Sequence, residues 1–262
     1  MPNHRLFDSR QRKPKIVRDK SEQMDYTLEL SMNVNYGKSI LDFCAPNLPA
    51  VYIKSAKSSF ELAKKIHTES IKIYQGTAGK ITFSEEETVK LYDYLAHIQV
   101  AIIMICVAIE CVVNTILPQN YIFKEKGREY DYFEIQRYIS LEKKLKDIIP
   151  VSLSIPQLSN QPFWSKIKCL IKVRNDLVHM KSAETNTVAD QRMYFDQKDK
   201  DVVSRLIQDN TISYIQSGFD LVSFFFEHLK AKFDFPVWLD TENLDIQEVD
   251  DIMNHYSLVS RK

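Results

Sequence analysis

Arg174-Asn175-Asp176-Leu177-Val178-His179 sets a permanently charged guanidinium five residues before an imidazole, with a carboxamide directly after the arginine. These groups suffice for one reaction that asks little else of a protein. RNA carries its own nucleophile, the 2′-hydroxyl, so its cleavage needs only proton transfer and stabilisation of charge on the phosphate. His179 belongs to the side-chain class that takes or gives a proton near neutral pH. Arg174 can hold the non-bridging phosphate oxygens in its planar fork and oppose the charge that grows on them. Asn175 can orient the phosphate or the imidazole. No metal or cofactor is required, and the products are a 2′,3′-cyclic phosphate and a 5′-hydroxyl.

The elements that must position these groups follow from the apolar spacing. Phe163, Ile167, Leu170, Ile171, Leu177 and Val178 recur at three and four residues, the pattern of an amphipathic helix over residues 162–180. Arg174 falls inside that stripe, where a guanidinium needs a partner. Asn175 and His179 share a face, whereas Arg174 and His179 differ by about 140° on an ideal helix, so a long side chain or a distorted last turn must bring the tips together. A second helix is announced by Ser84-Glu85-Glu86-Glu87, a capping serine three residues before a glutamate. From residue 85 to 117 it would run about 50 Å at 1.5 Å per residue. Its middle is apolar on all sides, which makes it the central buried helix. Within it Glu110 and Asn114 lie four apart on one face, and a carboxylate there needs a cation. Arg174 is the candidate.

The hexapeptide resembles the R-x(4–6)-H motif of the HEPN superfamily, in the form where a polar residue follows the arginine. Glu110-x-x-x-Asn114 is similar to a pattern found in the first core helix of many HEPN proteins. The resemblance covers residues 84–232 and implies an antiparallel bundle of four or five helices. It also implies a homodimer whose two motifs meet in one composite site, acting on RNA as a toxin or defence effector under an antitoxin or another regulatory protein. Some HEPN toxins carry a modifiable tyrosine two residues after the histidine. Here that position is Lys181, which argues against that route of neutralisation and suits the mouth of an RNA site. The alternative is a non-catalytic HEPN-like scaffold or regulatory partner, in which Arg174 pairs with Glu110 and His179 is structural. Glu110 itself can serve in the site or only orient Arg174.

Composition sets bounds on these readings. The chain has 262 residues, 44% of them hydrophobic, which is ample for a buried core. Lysine plus arginine and aspartate plus glutamate number 35 each, so global charge supplies no argument for nucleic acid and any RNA contact must be local. Five glycines and no phosphate-cradling loop, HExxH or serine elbow argue against nucleotide-binding folds, zinc peptidases and serine hydrolases. Cys44, Cys106, Cys111 and Cys169 lack CxxC spacing and read as reduced thiols of a cytoplasmic protein. The apolar run 95–117 contains His97, Gln99, Glu110 and Asn114, and reads as a core helix rather than a membrane span.

The expected organisation is mainly α, with a small β-containing N-terminal extension over residues 1–80, a bundle over 81–233 and an acidic tail over 234–262. The extension comprises a loose basic arm, one alternating strand at 26–36 ending at Gly37, and a helix over 48–74 stopped by Gly76. Candidate strand partners are 80–83, 121–123 and 130–133. A short helix over 141–149 should end at Pro150, and one long helix should span 201–233. The tail reads as a peripheral helix.

Overall fold

The computed structural model describes residues 10, 15–19, 24–28, 31–178, 197–229 and 246–249. Helices dominate, and the chain divides into two compact units: Met1–Val51 with Leu229–Lys262, and Tyr52–His228. Residues 52–80, placed with the N-terminal extension by sequence, therefore group with the helices.

The first unit holds the strands. β1 (Lys15–Asp19) lies between β2 (Met24–Leu28), antiparallel to it, and a strand from the far end of the chain, Ile246–Val249, parallel to it. A separate hairpin pairs β3 (Ser31–Tyr36) with β4 (Ser39–Cys44), turning at Gly37 with φ 61°. Four expectations are corrected here. The alternation over 26–36 belongs to two strands with different partners, because a period of two identifies faces and leaves the partner open. None of the anticipated partner segments pairs with it. The basic arm contributes a strand where looseness was expected, and the tail contributes a strand where a helix was expected, since strands of five and four residues leave little periodic signal.

In the second unit, α1 (Leu48–Ile66) buries Ala56, Phe60 and Ala63. The helical path then widens into a π turn, His67–Ile71, tightens over Lys72–Tyr74 and stops as expected before Gly76. α2 (Glu85–Ile116) opens with both halves of the anticipated capping box: Glu87 N–H donates to Ser84 Oγ at 3.3 Å and Ser84 N–H to Glu87 Oε2 at 2.7 Å. Ile98, Ile102, Ile105, Ile109 and Val113 are buried along it. Among the described residues it is the one helix long and apolar enough to cross a membrane, and half of its most apolar stretch is buried inside the protein.

A tight hairpin follows, β5 (Phe123–Glu125) with β6 (Arg128–Tyr130). Its turn residues Lys126 and Gly127 have φ 49° and 78°, the two positive values of a primed turn. α3 (Tyr132–Tyr138) starts with a second capping box, Asp131 with Glu134. Then α4 (Leu141–Lys143) passes through another π turn, Lys144–Ile148, into α5 (Ile149–Leu153). Pro150 thus sits in the first turn of a helix instead of ending one, as the first-turn preference of proline allows. The end comes at Ser154, in the left-handed region with φ 53°.

α6 (Trp164–Val178) buries Ile167, Leu170 and Ile171 as the spacing requires, along with Trp164 and Val173. Val178, assigned to the stripe, is 52% exposed. The long final helix is two: α7 (Gln197–Ile207) and α8 (Asp209–Leu229), broken at Gln208. Side chains take the carbonyls freed by the break. Thr211 Oγ1 donates to Arg205 O at 2.8 Å, the Tyr94 hydroxyl to Leu206 O, and His67 Nε2–H to Ile207 O at 2.9 Å. A Cβ on Gly218 of α8 would stand 2.7 Å from Ile105 Cγ1 of α2 and 3.2 Å from Leu170 Cδ2 of α6, so glycine is what lets these three helices close on one another. The remaining strand, Ile246–Val249, is β7.

Candidate functional site

The last turn of α2 meets Pro118, which has no N–H to give the Asn114 carbonyl four residues earlier. Two side chains from α3 supply the missing donors, Gln136 Nε2 at 3.1 Å and the Tyr132 hydroxyl at 3.4 Å. That fixes α3 beside the end of α2. It also brings the Gln136 carbonyl to 2.9 Å from Lys144 Nζ, at the start of the second π turn.

Lys144 is 1% exposed, and its ammonium is surrounded by acceptors. Besides Gln136 O they are Asn114 Oδ1 at 3.0 Å and Glu110 Oε1 at 3.9 Å. Burial lowers its pKa and the Glu110 charge opposes that shift. Two hydrogen-bonded oxygens with a carboxylate at 3.9 Å suit an ammonium.

Glu110 turns its other oxygen, Oε2, toward Arg174 Nη2 of α6 at 3.8 Å. The sequence-based partnership of Glu110 and Arg174 is therefore present as an ion pair beyond hydrogen-bonding length. One carboxylate thus stands between two cations, leaving one positive charge over. Arg174 is 22% exposed, and its Nε is buried with no hydrogen-bond partner among the described residues. Cys106, one turn before Glu110, is buried beside this group. Burial pushes its thiol up to about 12, and the nearby Arg174 charge pulls the other way.

The remaining motif residues divide. Asn175 is exposed at the surface of α6. Asp176 is hydrogen-bonded to Arg205 Nη1 of α7. His179 and Lys181 lie outside the described residues. The structure thus brings together Arg174, Glu110 and Asn114, and adds Lys144 and Gln136, which the sequence reading passed over. Lys144 left a legible trace: Leu141, Lys144, Leu145 and Ile148 follow the i, i+3, i+4, i+7 pattern, with a lysine on the buried stripe. Gln136 left none, because its role depends on a proline eighteen residues earlier. Among the described residues no group of three or more His, Cys, Asp and Glu side chains gathers as a metal site. No protein-family model, no curated protein and no solved structure matches this chain.

Proposed function

We propose that this protein is a metal-independent endoribonuclease built on an antiparallel HEPN-like helical bundle. The observation that carries the reading is the state of Arg174: a guanidinium whose buried Nε–H has no partner among the described residues, facing a carboxylate already shared with a second cation. A buried donor without an acceptor costs about 1–3 kcal/mol, and an anion from outside can reach the guanidinium through its exposed part, since the side chain is 22% exposed. A phosphodiester supplies one, and the planar fork suits two of its oxygens.

In the reaction proposed, the 2′-oxygen attacks phosphorus, its proton passes to a base, the P–O5′ bond breaks and the leaving oxygen takes a proton. Arg174 opposes the charge that builds on the non-bridging oxygens. His179 serves as the proton carrier, with Asn175 and Lys181 as supporting contacts to the RNA. One motif histidine per chain leaves the acid and base roles to be divided, which a homodimer with a composite site would do. An exposed apolar line on α2, with Val89 at 58%, Tyr92 at 64% and Val100 at 40%, fits burial against a second copy. Regulation by an antitoxin or another partner, and a role as toxin or defence effector, follow from the same resemblance.

A second reading has its own observation. Arg174 faces an internal carboxylate and Asp176 is tied to Arg205, as a non-catalytic scaffold would arrange them. Cleavage of a mixed RNA substrate in EDTA, beside Arg174→Ala and His179→Ala with folding followed by circular dichroism, separates the two. The nuclease reading expects cyclic-phosphate ends from wild type and silence from both folded variants. Inert wild type, or variants that cut equally well, favours the scaffold.

A further inference from the structure

Arg174 faces Glu110 at 3.8 Å, beyond hydrogen-bonding length, and a second cation stands on the far side of the carboxylate. Lys144 stands 3.9 Å from the other oxygen of Glu110 and is anchored by hydrogen bonds to Asn114 Oδ1 and Gln136 O. Its position is over-determined, since the Gln136 side chain caps α2 while the same residue's carbonyl receives the ammonium. A carboxylate alone beside Arg174 would neutralise it and compete with any incoming phosphate. A carboxylate held by a buried ammonium still orients the guanidinium but leaves a net positive site.

We infer that Lys144 is a positioning residue for phosphate binding at Arg174: it holds Glu110 from behind, so that Glu110 aligns Arg174 without cancelling its charge. This rests on the nuclease reading for the substrate, a phosphodiester of RNA, while the geometry itself concerns any phosphate dianion or diester at that guanidinium. Lys144 touches no substrate and acts through Glu110.

The arrangement fixes an order of affinities that a merely structural lysine would not produce. Lys144→Met leaves Glu110 facing Arg174 alone and brings the cluster to zero charge. Glu110→Gln raises it to two positive charges, and the double variant returns it to one. Inorganic phosphate is titrated into full-length protein while the Arg174 Nε–Hε resonance is followed by NMR, the signal being identified by its loss in Arg174→Lys. Wild type shifts saturably. Lys144→Met weakens the apparent affinity about tenfold, the scale expected for one uncompensated charge in a half-buried site. Glu110→Gln binds more tightly than wild type, and adding Lys144→Met to it changes the affinity far less than tenfold, because the lysine acts through the carboxylate.

The inference is overturned if folded Lys144→Met binds phosphate like wild type, or if no saturable shift occurs in wild type. Should Lys144→Met fail to fold, Lys144→Gln replaces it, a side chain that can still donate to Asn114 Oδ1 and Gln136 O but carries no charge. Affinity equal to wild type overturns the inference, and a weakening of about tenfold supports it. RNA cleavage in EDTA is scored separately. Wild type that binds phosphate in this order yet leaves RNA intact removes the nuclease reading and keeps the role of Lys144.

Discussion

Two residues apart on α6, Arg174 and Asp176 each form an ion pair with another helix, and the pairs differ in kind. Asp176 meets Arg205 of α7 one to one, through a direct hydrogen bond, with both side chains more than a third exposed. Arg174 meets Glu110 at 3.8 Å, with a buried nitrogen that has no partner among the described residues and the carboxylate shared with Lys144. The first pair is electrically closed and wet, the kind that contributes about 0–1 kcal/mol. The second is open, with more positive than negative charge in a partly desolvated place. Proximity in sequence therefore says little about role. The number of opposite charges each group must share says more.

The contrast can be broken at several points. Arg174→Ala should give the largest effect, a loss of RNA cleavage of roughly 100- to 1,000-fold, the usual result of removing a group that stabilises transition-state charge. Gel analysis of cleaved RNA with circular dichroism as the folding control checks it, and activity within threefold of wild type would break the distinction. Gly218→Ala inserts a methyl where Ile105 of α2 and Leu170 of α6 leave 2.7 and 3.2 Å. These are the helices that carry Glu110 and Arg174. It should lower stability by about 1–3 kcal/mol in urea unfolding and reduce cleavage by the folded fraction more than any change at Arg205.

Cys106 is a passive gauge of the space beside Arg174. Its folded pKa is raised, from 9.0 to about 12. The stability it contributes is therefore complete below pH 9 and disappears as pH climbs toward 12. At pH 10 the loss should be about 1.4 kcal/mol relative to pH 7, absent from Cys106→Ala, as urea midpoints of the two proteins at both pH values would show. An equal alkaline decline in both proteins would remove Cys106 from the account. The smallest effect belongs to the closed pair. Arg205→Ala should shift stability by less than about 1 kcal/mol and leave RNA cleavage within a few-fold of wild type.

Much of the helical unit was legible because its signals are local. The Ser84 cap, the stripe on α6 and the stop at Gly76 each depend on neighbours within a turn or two. Glu110 and Arg174 were paired by a physical demand, a carboxylate and a guanidinium each on an apolar face, and that reasoning found the contact. It failed on sharing, since nothing near Glu110 reveals that Lys144 stands opposite its second oxygen. The strands failed for a related reason. Lys15–Asp19 pairs with residues 24–28 and 246–249, and the second pairing spans nearly the whole chain. The break at Gln208 was hidden because the residues that make it tolerable, His67 and Tyr94, lie more than a hundred positions away.

The second π turn has a consequence best put as phase. A π turn is a helix with one residue too many, and each residue advances the winding by about 100°. Without the extra residue between Lys144 and Ile148, everything upstream would be rotated by that angle against Ile149–Leu153. Lys144 and the buried Ile148 and Ile149 could not then all keep their places. The surplus residue works as an angular offset, letting one short helix keep its greasy side inward at both ends while a lysine enters from the seam. A single-residue deletion within 145–147 would restore regular winding and turn the ammonium away from Glu110, though every side chain of the cluster stayed in the sequence.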